Sequence, residues 1–371
     1  MNNLYQRAEA IFGIKSNNSN NTVIIDANMK KVLSTRQKIH EKSTQSIQFS
    51  RPILLRENLG IIFPNTITVI QGKKGVHKSR LTETICTCFL NVNSSNTQIG
   101  FRREFLKKPM LLYVDTERNQ NDQLPFSMQQ IRRKSGYPID FNPPHFDFIS
   151  LVDISRKERF ETLKSYIQLK QNEFPDYQYV IILDVVTDCI ENFNDPRESL
   201  KLIDLMNELV NQHEVTFLCV IHENPGGEKA RGHLGTEIIN KASQVIQIAF
   251  EGDSKELIIL KFLHSRNTRQ IEPVYVRYDD DSKGLMEADP YLIKQTQITQ
   301  QEKAPLDKVK IWLSDTMFGE KSRKILIPEL REHFGCGEKT IEERLSSLVE
   351  DDFLNKKSKG NMVFYEIKVN F

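Results

Sequence analysis

The chain has 371 residues, 39% of them hydrophobic and 27% charged, which suffices for two or three domains and excludes a disordered, collagenous or coiled-coil protein. Fifty-one Lys and Arg against 49 Asp and Glu leave a formal charge of +2, so any attraction to nucleic acid or anionic lipid must come from local patches. Five cysteines, Cys86, Cys88, Cys189, Cys219 and Cys336, are odd in number and lack zinc spacing, as reduced thiols do.

No run approaches the ~18 uninterrupted apolar residues of a membrane span. The N-terminal Met-Asn-Asn-Leu-Tyr-Gln-Arg has no apolar signal core. A cytoplasmic protein without a membrane partner is expected. Residues 1–50 are rich in Asn, Ser and Lys, with a low-complexity break at 15–21, and read as a loose arm or accessory layer.

From 51 to 290 short β-branched runs alternate with amphipathic helical stretches, the pattern of βαβ units and a mostly parallel sheet covered on both faces. Four runs are the central strand candidates: Ile67–Gln71, Met110–Val114, Tyr179–Leu183 and Thr216–Ile221. Open α/β sheets bind ligands at the carboxyl ends of their strands, which singles out Gly72–Ser79, Asp115–Glu117, Asp184 and His222. Runs at 245–250, 257–262 and 274–278 add strands, including an antiparallel extension.

A Gln-, Thr- and Lys-rich segment at 291–305 reads as a linker. Beyond it, 306–371 carries helical patterns at Asp307–Thr316, Leu326–Phe334 and Glu338–Glu350, then a hairpin over Phe353–Ile367. That is the element order of a winged helix-turn-helix.

The segment Gly72-Lys73-Lys74-Gly75-Val76-His77-Lys78-Ser79 follows a strand and precedes a helical stretch that opens with Arg80, the context of a Walker A loop. Its glycines aim backbone N–H groups inward and the helix N-terminus adds positive potential. Lys78 is the reach to the β- and γ-phosphates of ATP, and Ser79 is a ligand for Mg²⁺. His77 stands where glycine is usual, so nucleotide binding is expected more firmly than efficient turnover.

Asp184, 105 residues beyond Ser79 at the end of an apolar run, suits a Walker B carboxylate; alone it would read as a strand-end turn. Glu117 is the choice for polarising the attacking water, with Asp115 in reserve. His222 is a candidate γ-phosphate sensor, or a capping histidine without function.

Together the loop, Asp115-Thr-Glu117, Asp184, His222 and Lys229-Ala-Arg-Gly-His-Leu-Gly-Thr236 resemble the RecA-like ATPases, most closely the RepA-type branch allied to DnaB-type replicative helicases. Similarity is strongest to ATPases carried on plasmids and mobilisable elements of Bacteroides-like bacteria, and it covers roughly residues 50–290. It implies that Lys78 and Ser79 bind triphosphate and metal, Glu117 activates water, Asp184 serves as Walker B and His222 senses the γ-phosphate. It also implies self-association, with a hexameric ring as one form. Arg266, helped by His264 or Lys261, is the nearest equivalent of an arginine finger reaching a neighbouring subunit, against the reading of a surface arginine.

By the same resemblance, loops 185–196 and 223–235 correspond to DNA-facing loops. The second carries Lys229, Arg231 and His233 among glycines, whereas the first is acidic. Arg102, Arg103, Lys107 and Lys108 form a further basic cluster, and a solvated loop accounts for it equally. The tail holds 12 basic and 12 acidic residues, so it is either a DNA reader or a protein-docking module. Its candidate DNA contacts are Lys339 and Arg344 on the third helix and Lys356, Lys357 and Lys359 on the wing.

Two functions lead at this point, ahead of a third, a scaffold with a degenerate nucleotide site. One is an ATP-hydrolysing motor acting on DNA in replication or mobile-element transfer. The other is a nucleotide-gated DNA-binding regulator with slow or no turnover.

Overall fold

The computed structural model describes residues 26–93, 97–104, 107–252 and 255–368, the side chains of 299–302 excepted. The chain divides into two units, Met1–Ser50 and Arg51–Phe371. In the first, helix α1 (Ala27–Ser43) is capped by Asp26, whose Oδ1 accepts from the Met29 amide at 2.7 Å. The low-complexity break at 15–21 lies outside the described residues.

The second unit begins with β1 (Leu54–Arg56) and β2 (Leu59–Ile62), an antiparallel pair. Then come β3 (Ile67–Gly72), α2 (Lys78–Leu90), β4 (Phe101–Arg103), β5 (Pro109–Asp115), α3 (Gln123–Lys134), β6 (Phe146–Ser150), α4 (Arg156–Glu173) and β7 (Gln178–Asp184). A 3-10 turn at Val186–Cys189 leads to α5 (Pro196–Gln212), β8 (Thr216–His222), α6 (Gly232–Lys241), β9 (Gln244–Glu251), β10 (Leu257–Ser265), β11 (Val274–Asp279) and β12 (Gly284–Glu287).

Nine of these strands form one sheet in the order β12-β11-β10-β9-β3-β8-β7-β5-β6. From β9 to β6 every ladder is parallel, and β10, β11 and β12 extend the sheet antiparallel. All four central strand candidates lie in the parallel part.

Strand residues alternate strictly between the two faces, as a period of two requires. Ile70, Leu111, Tyr113, Val180 and Ile182 join one core with Leu81, Ile85 and Phe89 of α2 and Met128 and Ile131 of α3. Val69, Leu112, Val114, Ile181 and Leu183 join another with Leu163 and Ile167 of α4, Leu202 and Met206 of α5 and Leu234 of α6. Because both faces are covered, the strands read as continuous apolar runs. Among the described residues no helix is long and apolar enough to cross a membrane.

The segment read as a linker is helical, α7 (Pro290–Glu302). Asp289 accepts from the Tyr291 amide at 2.6 Å, so Asp289-Pro290 starts this helix by an acidic cap and a proline in its first turn. The tail follows as α8 (Leu306–Thr316), β13 (Lys321–Ser322), α9 (Arg323–Phe334), α10 (Glu338–Glu350), β14 (Leu354–Lys359) and β15 (Met362–Ile367). Its strands pair in the order β13-β15-β14. Val309, Leu313, Leu326, Leu330, Ile341, Leu345 and Leu348 form a core of their own.

Candidate active site

Strand order decides which side chains meet. Strand β8 lies between β3 and β7, and β5 lies beyond β7, so four neighbouring strands end at one edge. Register levels them: Gly72 is opposite His222, and Asp115 is opposite Asp184. A Cβ at Gly72 would sit 2.5 Å from the Ile248 carbonyl oxygen, so only glycine lets β3 and β9 run this close at the start of the loop.

Past it, Gly75 has φ 83° and His77 has φ 64° and ψ 28°. A left-handed backbone at a non-glycine residue costs roughly 1–2 kcal/mol. The His77 ring stacks on Tyr278 of β11, centroids 4.8 Å apart and planes 13° from parallel, and meets Phe250 of β9 edge-on at 5.9 Å. Aromatic pairs contribute about 0.5–1.5 kcal/mol each, the size of the strain they offset. Burial, and then Arg80, hold the imidazole below its ordinary pKa, which favours a neutral ring.

Helix α2 starts without a side-chain cap and without an acidic residue in its first turn. A helix N-terminus of this kind is ready for an anion. Lys78, only 6% exposed, donates from Nζ to the carbonyl oxygens of Gly72 at 3.0 Å and Lys73 at 2.7 Å. Burial lowers its pKa, against the pull of Asp184, Glu117 and Glu223. The ammonium is folded onto its own loop.

Asp184 is 3% exposed, and the Ser79 side chain hydrogen-bonds to it. Its Oδ2 accepts from the Tyr113 hydroxyl at 2.8 Å and from Arg118 Nη2 at 3.4 Å. Burial raises its pKa, and Arg118 and Tyr113 work against that rise. Thr116 fastens the next residue, its Oγ1 accepting from the Val185 amide at 2.7 Å and donating to the Val185 carbonyl at 3.1 Å.

Glu117 is half exposed, and its Oε1 lies 3.5 Å from His222 Nε2. That hydrogen bond holds the Glu117 carboxyl below the usual carboxylate range, and His222, Lys78 and Lys74 add to the effect through their charge. Asp115, the reserve choice for water activation, is fully buried. Its oxygens accept from the Glu117 amide at 3.1 Å, the Arg118 amide at 2.7 Å and Arg118 Nε at 2.5 Å. It builds the turn, with three of its roughly four acceptor sites already taken inside the protein.

Arg118 ties the site together. Besides Asp115 and Asp184 it reaches Glu83 of α2 at 3.3 Å, Ser127 of α3 at 2.9 Å and the Tyr113 hydroxyl at 2.7 Å. Burial opposes its charge, and Tyr113, Asp184 and Asp115 overcome that opposition and hold its pKa above the ordinary value. A cleft of about 520 Å³ opens beside it, lined by Ser79, Arg80, Glu83, Asp122 and Phe126. Arg80 pairs with Glu83 at 2.6 Å and lies over the Phe126 ring at 5.7 Å.

No family model matches the chain, and no curated protein matches it. Among solved structures it is similar to one described as the crystal structure of the RadB recombinase, at 14% identity and a TM-score of 0.43. That match covers 61% of this chain and 92% of the other.

Lys78, Ser79, Asp184, Glu117 and His222 thus meet at one edge of the sheet. Arg266 does not join them within this chain. Its Nη2 donates to the Asn240 carbonyl near the end of α6, its Nε lies 3.3 Å from His264, and its amide bonds to Ser243.

Loop 185–196 touches segment 223–235, the end of which is the first turn of α6: Arg231 lies over the Phe193 ring at 4.7 Å, and the Leu234 amide donates to the Phe193 carbonyl at 3.0 Å. Lys229 is exposed on the second loop. In the tail, Lys357 pairs with Glu366 at 2.5 Å, Lys359 with Glu320 at 2.5 Å and Lys339 with Glu228 at 3.3 Å. Arg344 donates to the Ala304 carbonyl at 3.0 Å. Of the basic cluster, Arg102 pairs with Glu104 at 3.3 Å, Lys107 with Glu214 at 3.8 Å, and Arg103 donates to the Phe89 carbonyl.

Sequence reading missed Tyr113, Arg118, Glu83, Phe250 and Tyr278. Arg118 alone left a signal, as a charged residue directly after Glu117 at a strand end.

Proposed function

We propose that this chain is a RecA-like, P-loop ATPase that binds ATP with Mg²⁺ and acts on DNA. The observation that carries the reading is the meeting of Lys78, Ser79, Asp184 and the Glu117–His222 pair at the ends of β3, β8, β7 and β5. Among the described residues no three His, Cys, Asp or Glu are arranged to cage a metal. Mg²⁺ needs no such cage, since it binds through one or two carboxylates and substrate phosphates, and Asp184 with Ser79 fit that role.

Lys78, released from the Gly72 and Lys73 carbonyls, supplies charge to the γ-phosphate, and the uncapped N-terminus of α2 supplies N–H groups. Bound Mg²⁺ neutralises charge that builds on the phosphates in the transition state. Glu117 orients the attacking water and takes its proton, with His222 fixing the carboxylate from the side. Arg80 and Phe126 offer a flat polar-and-aromatic wall beside Ser79 for the rest of the nucleotide.

We read 306–371 as a winged-helix domain joined through α7. Lys229 and Arg231 in the loop after β8 are the first DNA candidates. A trans arginine finger from Arg266 and ring-shaped self-association belong to this proposal. The internal ion pairs of Lys339, Lys357 and Lys359 favour, as the second reading, a regulator whose tail docks on protein.

Steady-state ATP hydrolysis with and without single-stranded DNA tests the proposal. Turnover stimulated by DNA and abolished by Lys78→Ala is expected. Tight ATP binding without turnover supports the regulator, and no ATP binding at all refutes both.

A further inference from the structure

The phosphate loop has a residue where its backbone asks for none. His77, at φ 64°, occupies a left-handed position that glycine fills without strain. Its imidazole is half-buried, stacked on Tyr278 and met edge-on by Phe250, two rings from the strands β11 and β9. Strand β9 is also the one that leaves no space for a Cβ at Gly72. Both ends of the loop therefore lean on the same side of the sheet.

We propose that Tyr278 is a positioning residue for the phosphate loop and acts through His77. Stacking on Tyr278 makes the left-handed conformation of His77 the stable one, and so sets the direction of the amides from Val76 to Ser79. A flexible glycine in that place would need no such partner. The antiparallel extension of the sheet thereby becomes part of the nucleotide site, although none of its described residues lines the cleft beside Arg118. Phe250 closes the second side of the ring and limits its rotation.

The inference rests on the phosphate-loop reading, and two readouts keep the two apart. The first, free of nucleotide, is limited trypsin cleavage after Lys73 and Lys74 in the intact chain, followed by mass spectrometry. Tyr278→Leu should speed this cleavage about tenfold, whereas Tyr278→Phe, which keeps the ring, should change it less than twofold. In a His77→Gly background, Tyr278→Leu should change it less than threefold, because the stacked partner is gone. Urea unfolding of each variant separates loop loosening from global destabilisation.

The second readout is ATP binding by calorimetry, where Tyr278→Leu should weaken affinity about tenfold with His77 present and little with His77→Gly. Equal effects of Tyr278→Leu in both backgrounds, or none in either, overturn the inference. A wild-type chain that binds no ATP overturns the phosphate-loop reading, while the cleavage pattern still decides the role of Tyr278.

Discussion

Glu117, just past β5, and His222, the last residue of β8, belong to strands that are not neighbours, yet their side chains stand 3.5 Å apart across the end of β7. The hydrogen bond from the imidazole keeps the Glu117 carboxyl below its ordinary pKa. A base held ionised in this way works above its depressed pKa and fails as pH falls through it. Removing the imidazole raises that pKa. His222→Ala should move the acid limb of the ATP hydrolysis profile to higher pH, which a pH series of initial rates reads directly.

Glu117→Gln removes the proton acceptor but keeps the shape. Turnover should fall by about 10²–10⁴-fold while ATP affinity stays within a few-fold. Equilibrium binding beside single-turnover hydrolysis separates the two effects. A variant that loses binding as strongly as turnover would move Glu117 from chemistry to ground-state recognition.

Asp115 predicts the opposite pattern. Its carboxylate accepts three N–H bonds inside the protein, and hydrogen bonds to a charged group are worth about 1.5–3 kcal/mol each. Asp115→Asn should lower the urea midpoint by an amount equivalent to about 2 kcal/mol, whereas Glu117→Gln should leave the midpoint unchanged.

Arg118 faces Asp115, Asp184 and Glu83 at once. Deleting one partner of a buried ion pair leaves uncompensated charge and costs about 3–5 kcal/mol. Arg118→Ala should destabilise the fold by that order in urea. The loss should shrink as pH falls, because Asp184, whose pKa is raised by burial, gains a proton and no longer needs the guanidinium.

For the tail, ion pairs rank the basic residues. Lys357 is held by Glu366, which raises its pKa, and Lys359 is held by Glu320. If the wing contacts DNA, Lys356→Ala should lower affinity and reduce the salt slope by about one, and Lys357→Ala should do less because its charge is already matched. Fluorescence anisotropy over a salt series gives both numbers. Equal slopes for wild type and Lys356→Ala would assign the tail to protein docking.

Local patterns were legible without coordinates. Ile341, Leu345 and Leu348 recur at helical spacing and are all fully buried in the tail core. The runs at 67–71, 110–114, 179–183 and 216–221 carry the apolar density of strands covered on both faces, and each lies in the parallel sheet. The segment 291–305, which its composition marks as a linker, lies largely in helix α7, started by Asp289-Pro290. Strand β6, with its mixed exposure, left no alternating run strong enough to read.

What the amino-acid order settled by itself is whatever depends on neighbours a few residues apart: the strand–loop–helix around Lys78, the acidic groups at strand ends and the period of each buried face. Tertiary structure alone decided which ends stand together. It set β8 between β3 and β7, consumed Asp115 in a turn while leaving Glu117 its imidazole, spent Arg118 on three carboxylates and brought Tyr278 onto His77. The physical reason is that backbone preference and periodicity act locally, whereas strand order and ring stacking join residues far apart in the chain whose types carry no mark of their partner.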